Sequence, residues 1–358
     1  MVSERRGRGA RQGGDVVRLA LLGCGQWGLN YLRAFSELDG CFMGYACDLS
    51  PERLAIAERR LTGIATTTDL DGLLANPEVD AVVVAVEAVH HYDVTRRVLE
   101  AGKHCLLEKP MTIDVAQAIA CRDLAVAAGR ILMVGHVFRH NAAINHVRHM
   151  LAGGEIGELL YLYFTRTNLG PIRSDVNVVW DLMSHDVSIA LHFLNRLPDS
   201  VSAQGACYLS PGTEDVAFAT LGFSGGTVAN MRVSWLDPRK VREITVVGSR
   251  RMVVIDDTSS EPVRVFDKGA LREPSYGTFG EFKLVTHSGD VTIPAIPVTE
   301  PLKTQCQHFL DAVRSGKLEL GDAADGIRVV EVLTAINDSI SQGGRPVAIP
   351  TSAARAWP

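Results

Sequence analysis

VVRLALLGCGQWG, residues 16–28, joins a short apolar run to a glycine-rich turn. Residues 16–22 are β-branched or aliphatic apart from Arg18 and Ala20, the composition of a strand buried inside a parallel sheet. Gly23, Gly25 and Gly28 follow in G-x-G-x-x-G spacing, with Gln26 and Trp27 between the last two. Residues 27–37 then place Leu29, Leu32 and Phe35 at helical intervals. Strand, glycine turn and helix in that order predict a dinucleotide-binding unit. Gly23 permits the tight turn, Gly25 lets the backbone approach a pyrophosphate, and Gly28 lets the helix pack close to the strand. The helix N-terminus faces the phosphates. Asp48 ends the next apolar run, where a carboxylate hydrogen-bonds the adenine ribose and repels a 2′-phosphate. NAD is therefore expected rather than NADP, with Arg53 near enough in sequence to soften that preference.

Beyond this stretch, strands are expected at 42–47, 80–86, 104–107 and 131–135, and helices at 51–60, 94–101 and 115–128. Ser50 and Pro51 open the helix at 51–60 as cap and first-turn residues. Alternating strands and helices predict an α/β, doubly wound parallel sheet over residues 16–137. The pattern then changes. A helix at 141–151, a strand at 159–168 and a helix at 180–195 precede alternating runs at 216–223, 227–235, 241–247, 251–255 and 262–266. Gly-Gly and Asp-Pro turns are expected between those runs. The reading is a second, α+β domain over 138–358, with an open-faced, mostly antiparallel sheet and closing helices at 301–315 and 322–341. Residues 1–15, polar, basic and Gly-rich, read as a disordered tail. Arg5-Arg6 is not followed by the apolar stretch an export signal needs.

Composition narrows the function classes. The chain has 358 residues, 36 Lys and Arg against 41 Asp and Glu, and a net charge of −5, so no broad basic surface argues for nucleic acid. No apolar run is long enough for a membrane span. Seven scattered cysteines (Cys24, Cys41, Cys47, Cys105, Cys121, Cys207 and Cys306) lack the clustering of a metal site, and their odd number suits reduced thiols in a cytoplasmic protein. No metal is expected.

Two segments carry chemistry. Glu108-Lys109-Pro110 follows the run HCLL directly, which puts Lys109 at the carboxyl end of a strand, where ligands bind in open α/β sheets. Lys109 there polarises a substrate oxygen, or is a solvated surface charge. In Trp180-Asp181-Leu182-Met183-Ser184-His185-Asp186, Asp181 and His185 are spaced i, i+4. On a helix they share a face, where a carboxylate beside an imidazole suits acid–base work on an alcohol proton. The alternative is a helix-starting aspartate and a structural histidine.

GCGQWG at 23–28, EKPM at 108–111 and WDLMSHD at 180–186 together resemble the Gfo/Idh/MocA family of glucose–fructose oxidoreductase, inositol dehydrogenase and related sugar and cyclitol oxidoreductases. The resemblance spans roughly residues 16–345. It implies that Lys109 and His185 form the catalytic pair with Asp181 beside them holding substrate or lysine. It also places Glu108 at the nicotinamide end of the cofactor. His91, in HHYDV, matches the family's turn after the third strand, with Val86 before it. Arg139 and Asn141, in GHVFRHNAAI, match the segment that joins the two domains, and Asn141 counts as a cofactor contact. One departure is Val86-Glu87, where the family often carries Thr-Pro. The stretch Arg166-Thr167-Asn168-Leu169-Gly170-Pro171-Ile172-Arg173 resembles that of members acting on nucleotide-linked sugars, and arginine suits phosphate. Arg166, Asn168, Arg173 and Trp180 join Lys109, Asp181 and His185 as expected substrate contacts. The resulting expectation is a hydride transfer at C3 of a nucleotide-activated or phosphorylated hexose. An inositol or free-sugar dehydrogenase is the alternative, and a non-catalytic NAD-binding sensor a third reading. The family also implies a homo-dimer or homo-tetramer formed through the open sheet.

Overall fold

The computed structural model describes residues 16–274 and 282–349. The tail expected at residues 1–15 lies outside the described residues. The first unit runs β1 (Val17–Leu22), α1 (Gln26–Ser36), β2 (Cys41–Cys47), α2 (Pro51–Arg60), β3 (Ala65–Thr67), α3 (Leu70–Ala75), β4 (Ala81–Val84), α4 (His91–Glu100), β5 (His104–Glu108), α5 (Val115–Ala128) and β6 (Leu132–Gly135). Its six strands pair in parallel in the order β3-β2-β1-β4-β5-β6. The doubly wound sheet is as expected, with β3 and α3, three and six residues long, as additions too short to stand out in the sequence.

A second unit follows with α6 (Ala142–Ala152), β7 (Leu159–Leu169), a π-helical turn (Val179–Met183), α7 (Ser184–Leu194), β8 (Ser200–Ala206), β9 (Val216–Gly222), β10 (Val228–Ser234), β11 (Leu236–Gly248), β12 (Met252–Asp256), β13 (Val263–Pro274) and β14 (Phe282–Thr292). Then come α8 (Pro301–Ser315), α9 (Ala323–Ser341) and β15 (Val347–Ala348). The nine strands run β14-β13-β12-β11-β7-β10-β9-β8-β15, and only β10 and β7 pair in parallel. Asp237-Pro238 does not form the expected turn. It lies inside β11, where the register slips between Leu236 and Val241. The reason is topological: β7 lies between β10 and β11, so these strands cannot form a hairpin.

One face of this sheet is buried under helices, with Leu162, Phe164, Ala229, Met231, Ile244 and Val246 packed on Ile144, Val187, Ala190 and Leu333. The opposite face exposes Tyr161, Tyr163, Phe218 and Val228. This alternation is what a one-sided antiparallel sheet imposes.

The last two helices do not belong to the second sheet alone. Leu302, Cys306, Phe309 and Leu310 of α8 share a core with Leu19, Leu21, Tyr31 and Phe35 of the first unit. Along α9, Ala323, Ile327 and Val330 join the first sheet's core, whereas Val329, Val332, Leu333 and Ile336 join the second. Gly326 makes that approach possible, because a Cβ there would stand 2.7 Å from Met111 Sδ and 2.8 Å from Val134 Cγ2. Arg139 pairs with Asp325 at 2.5 Å and donates to Ser188 Oγ at 2.9 Å, a tie of the segment between the two units to α7 and α9. Ile327→Ala and Leu333→Ala, one in each core, are each expected to lower stability by about 2–5 kcal/mol in urea unfolding. Because α9 is shared, both are expected to keep a single transition; two separated transitions would refute the shared-helix account.

Candidate active site

The glycine loop has the geometry a dinucleotide needs. Gly23 has φ +89°, and a Cβ on it would lie 2.5 Å from Ala85 O. A Cβ on Gly28 would stand 1.9 Å from Gly23 O, so only glycine lets α1 sit this close. Gly25 differs: nothing lies within 4 Å of a Cβ placed there, which leaves its backbone open to a ligand. Gly25 is also the N-cap of α1, with no side-chain cap and no acidic residue in the first turn. The exposed Gln26 and Trp27 start that helix. Free N–H groups at a helix start suit a pyrophosphate. Asp48 is buried at the end of β2, where Oδ2 accepts from Cys24 N at 2.7 Å and Oδ1 from Ser50 N at 2.9 Å. Arg53 lies 3.9 Å from Asp48 with its side chain 56% exposed.

Glu108 ends β5 and is buried. It accepts from the Trp27 indole, from Tyr31 Oη at 2.6 Å and from Lys109 N at 3.1 Å, and Gln305 of α8 donates to Tyr31 Oη at 2.8 Å. Burial pushes its carboxyl above the usual range. The network couples the start of α1 to the end of β5, next to Lys109. Tyr31 and Gln305 carried no local signal, since they read as ordinary helix residues.

Lys109 points across to the second unit. Its Nζ donates to Asp181 O at 2.7 Å and lies 3.2 Å from Asp181 Oδ1. Asp181 Oδ1 also lies 3.4 Å from Arg173 Nη1, and Oδ2 accepts from Trp235 Nε1 at 3.1 Å. The cations Lys109 and Arg173 hold the Asp181 carboxyl below its ordinary range despite its burial. The expected Asp181–His185 pair is not formed: no hydrogen bond joins them among the described residues. Residues 179–183 adopt a π turn, wider than an α turn, so residues four apart no longer stack. Asp181 holds the lysine instead.

His185 follows at the start of α7, partly buried. Its ring meets Phe138 edge-on at 5.0 Å, and its Nδ1 is buried without a hydrogen-bond partner among the described residues. Burial, then the positive charges of Lys109, Arg166 and Arg242, push its pKa well below the ordinary imidazole value. His185 is therefore held as a neutral ring, the form a general base requires.

The remaining expected contacts divide. Arg166 lies within β7, buried, and forms a two-pronged pair with Asp186 at 2.8–2.9 Å while stacking 4.5 Å over Phe138. Both donors go to the one oxygen Oδ1, and the side chain, 7% exposed, presents little surface to a phosphate. Arg173 is on the loop after β7, paired with Asp175 at 2.5 and 2.8 Å as well as with Asp181. Asp175 in turn accepts from Ala88 N at 3.2 Å, fastening this loop to the turn after β4. Asn168 is half-buried near the end of β7, and Trp180 packs between the two cores. His91 lies between Pro110 O (2.6 Å) and Val86 O (3.2 Å), its pKa lowered to about 4 by burial. It ties two loops together and exposes no face to a cofactor. Asn141 caps α6, accepting from Ala143 and Ile144 N, and donates to Asp257 at 3.1 Å, so both ends of its amide are engaged in local structure. Glu87 is exposed at the carboxyl end of β4.

A glycine loop at the carboxyl edge of a parallel sheet, facing a lysine–aspartate pair and a neutral histidine under a second sheet, defines a nucleotide-dependent oxidoreductase. Comparison with known proteins agrees. Residues 17–136 match "Oxidoreductase family, NAD-binding Rossmann fold", and residues 144–254 match "GFO/IDH/MocA C-terminal domain". UDP-N-acetylglucosamine 3-dehydrogenase of Acidithiobacillus ferrooxidans is 29% identical over 88% of this chain and 94% of its own. The scyllo-inositol 2-dehydrogenase (NAD(+)) of Bacillus subtilis is 25% identical over 91% and 95%. The crystal structure of an oxidoreductase from Magnetospirillum magnetotacticum superposes with a TM-score of 0.76 at 30% identity, covering 89% of this chain and 99% of the other. The chain belongs to the GFO/IDH/MocA family of oxidoreductases, and its first unit is that family's NAD-binding domain.

Gly28→Ala is expected to weaken NADH binding, read by fluorescence titration, by at least about tenfold, since the clash is with rigid backbone. Unchanged affinity would refute the loop's role.

Proposed function

We propose that this protein transfers a hydride between NAD and a secondary alcohol or ketone of a sugar-like substrate, with C3 of a nucleotide-activated or phosphorylated hexose as the leading target. The observation that carries it is the Lys109 ammonium held by Asp181 at the end of the NAD-binding sheet, with the neutral ring of His185 four residues beyond Asp181. The bound nicotinamide supplies the hydride acceptor. The chain supplies the rest. His185 takes the hydroxyl proton, and Lys109 stabilises negative charge growing on the oxygen. Asp181 keeps that ammonium aimed, and the half-buried site keeps the interaction strong by limiting solvent. In the reverse direction, the same two groups return proton and polarisation to a ketone.

The nucleotide-sugar choice is supported by likeness to the UDP-N-acetylglucosamine enzyme. A cyclitol or free-sugar substrate is favoured by a different observation: Arg166 and Arg173 are both engaged by carboxylates, so a phosphate must compete for them. Seven unpaired cysteines support a cytoplasmic location. The test is NADH formation by the purified protein with UDP-hexoses, hexose phosphates, myo-inositol and scyllo-inositol, alongside His185→Asn. We expect turnover with one class, a fall of about 100-fold or more in the variant, and an acid limb of oxidation below about pH 6.5. The sign follows from the depressed His185 pKa: the base stays unprotonated until the pH drops well under the ordinary imidazole value. No turnover with any of them, or a variant as active as the parent, would refute the proposal.

Assembly belongs to the same reading. Tyr161, Tyr163, Phe218 and Val228 form an exposed apolar patch on the open sheet face, suited to a second copy of the chain. Light scattering is expected to show a dimer or tetramer, and Tyr163→Glu with Phe218→Glu to shift it towards monomer; a monomeric parent at micromolar concentration would refute this.

A further inference from the structure

Trp235 is among the largest fully buried side chains, 1% exposed, at the junction of β10 and β11. An indole has one polar atom, and burying it costs free energy unless it is hydrogen-bonded. Here the partner is Asp181 Oδ2 at 3.1 Å. The residue stands on a firm base. Its own N–H donates to Asp215 O at 2.9 Å, and the buried Asp215 side chain accepts from Tyr208 N and Leu209 N at 2.5 and 2.8 Å.

The Asp181 carboxylate thus has three partners of different character among the described residues. Lys109 arrives from the end of β5. Arg173, 29% exposed and shared with Asp175, arrives from the loop before the π turn. Trp235 arrives from the second sheet, rigid and uncharged. His185, four residues on, makes no hydrogen bond to Asp181 among the described residues. A neutral donor can orient a carboxylate without competing with the lysine for its charge.

We infer that Trp235 is a positioning residue: its indole N–H fixes the plane of the Asp181 carboxylate, so that Oδ1 and the Asp181 main-chain oxygen together hold the Lys109 ammonium at the reacting oxygen. This rests on the role for Lys109 proposed above. Loss of the N–H leaves Oδ2 unpaired, so the carboxylate is free to rotate, protonates more readily and holds the Lys109 ammonium less firmly. Burial of Asp181 acts in the same direction once the donor is gone.

The test is Trp235→Phe, which keeps a flat apolar ring and removes the donor. Trp235→Met, adaptable in shape and also without a donor, serves if phenylalanine does not fold. With the best substrate, kcat is expected to fall about tenfold and KM to change by less than about threefold. NADH affinity is expected to stay at the parental value. A drop in thermal stability with kcat unchanged would mean a packing role only and would overturn the inference. A readout free of catalysis separates this inference from the proposed reaction: the rate of Lys109 acylation by an amine-reactive ester at one fixed pH, read by peptide mass spectrometry. We expect faster acylation in the variant, where the ammonium is less firmly held. An unchanged rate overturns the inference even in an active enzyme. Faster acylation in the variant of a protein that oxidises nothing upholds the clamp and refutes the reaction.

Discussion

Helix α9, wedged between two cores, sets the geometry of everything at the site. Ile327 and Val330 on one side and Leu333 and Ile336 on the other bury into different sheets, so the helix cannot stay packed if the sheets separate. Burial of apolar surface has no direction, and by itself would permit sliding. The Arg139–Asp325 pair with Ser188 adds direction, because a buried arginine must keep its fixed geometry to stay satisfied. With α9 locked, the end of β5 and the π turn face each other at hydrogen-bonding distance.

Electrostatic balance explains how ionisable groups persist at that junction. Lys109 and Arg173 meet Asp181 and Asp175, so the cluster is neutral as a set even though each member is partly desolvated. His185 stays outside that balance. Cations around it and its own burial keep it uncharged, and the Arg166–Asp186 pair behind Phe138 supplies shape to its pocket and no net charge. One carboxylate holding the lysine and one neutral ring facing the same space is a division of labour. Had Asp181 paired with His185, the ring would be pulled towards its charged form and Lys109 would lack an anchor.

Short-range constraints are legible in the chain itself. The glycine spacing at 23–28 speaks through sterics alone, since a Cβ at Gly23 or Gly28 collides with backbone. Runs such as residues 80–84 read as buried strands because a doubly covered sheet requires apolar side chains on both faces. Lys109 at a strand end and the two-unit division come from the same local patterns. β3 and β15, of three and two residues, carry no such pattern.

The class of the protein is therefore written in its sequence: a glycine loop, a strand-end lysine and an alternating order of elements, each encoded in a few neighbouring residues. The wiring belongs to the tertiary structure. Packing inserts β7 between β10 and β11, turns residues 179–183 into a π turn that moves Asp181 from His185 to Lys109, and buries Arg166 against Asp186. It also brings Trp235 to a carboxylate 54 positions away in the chain. Such contacts arise from how sheets and helices fill space together, and a side chain's partner at that range leaves no trace in its own neighbours.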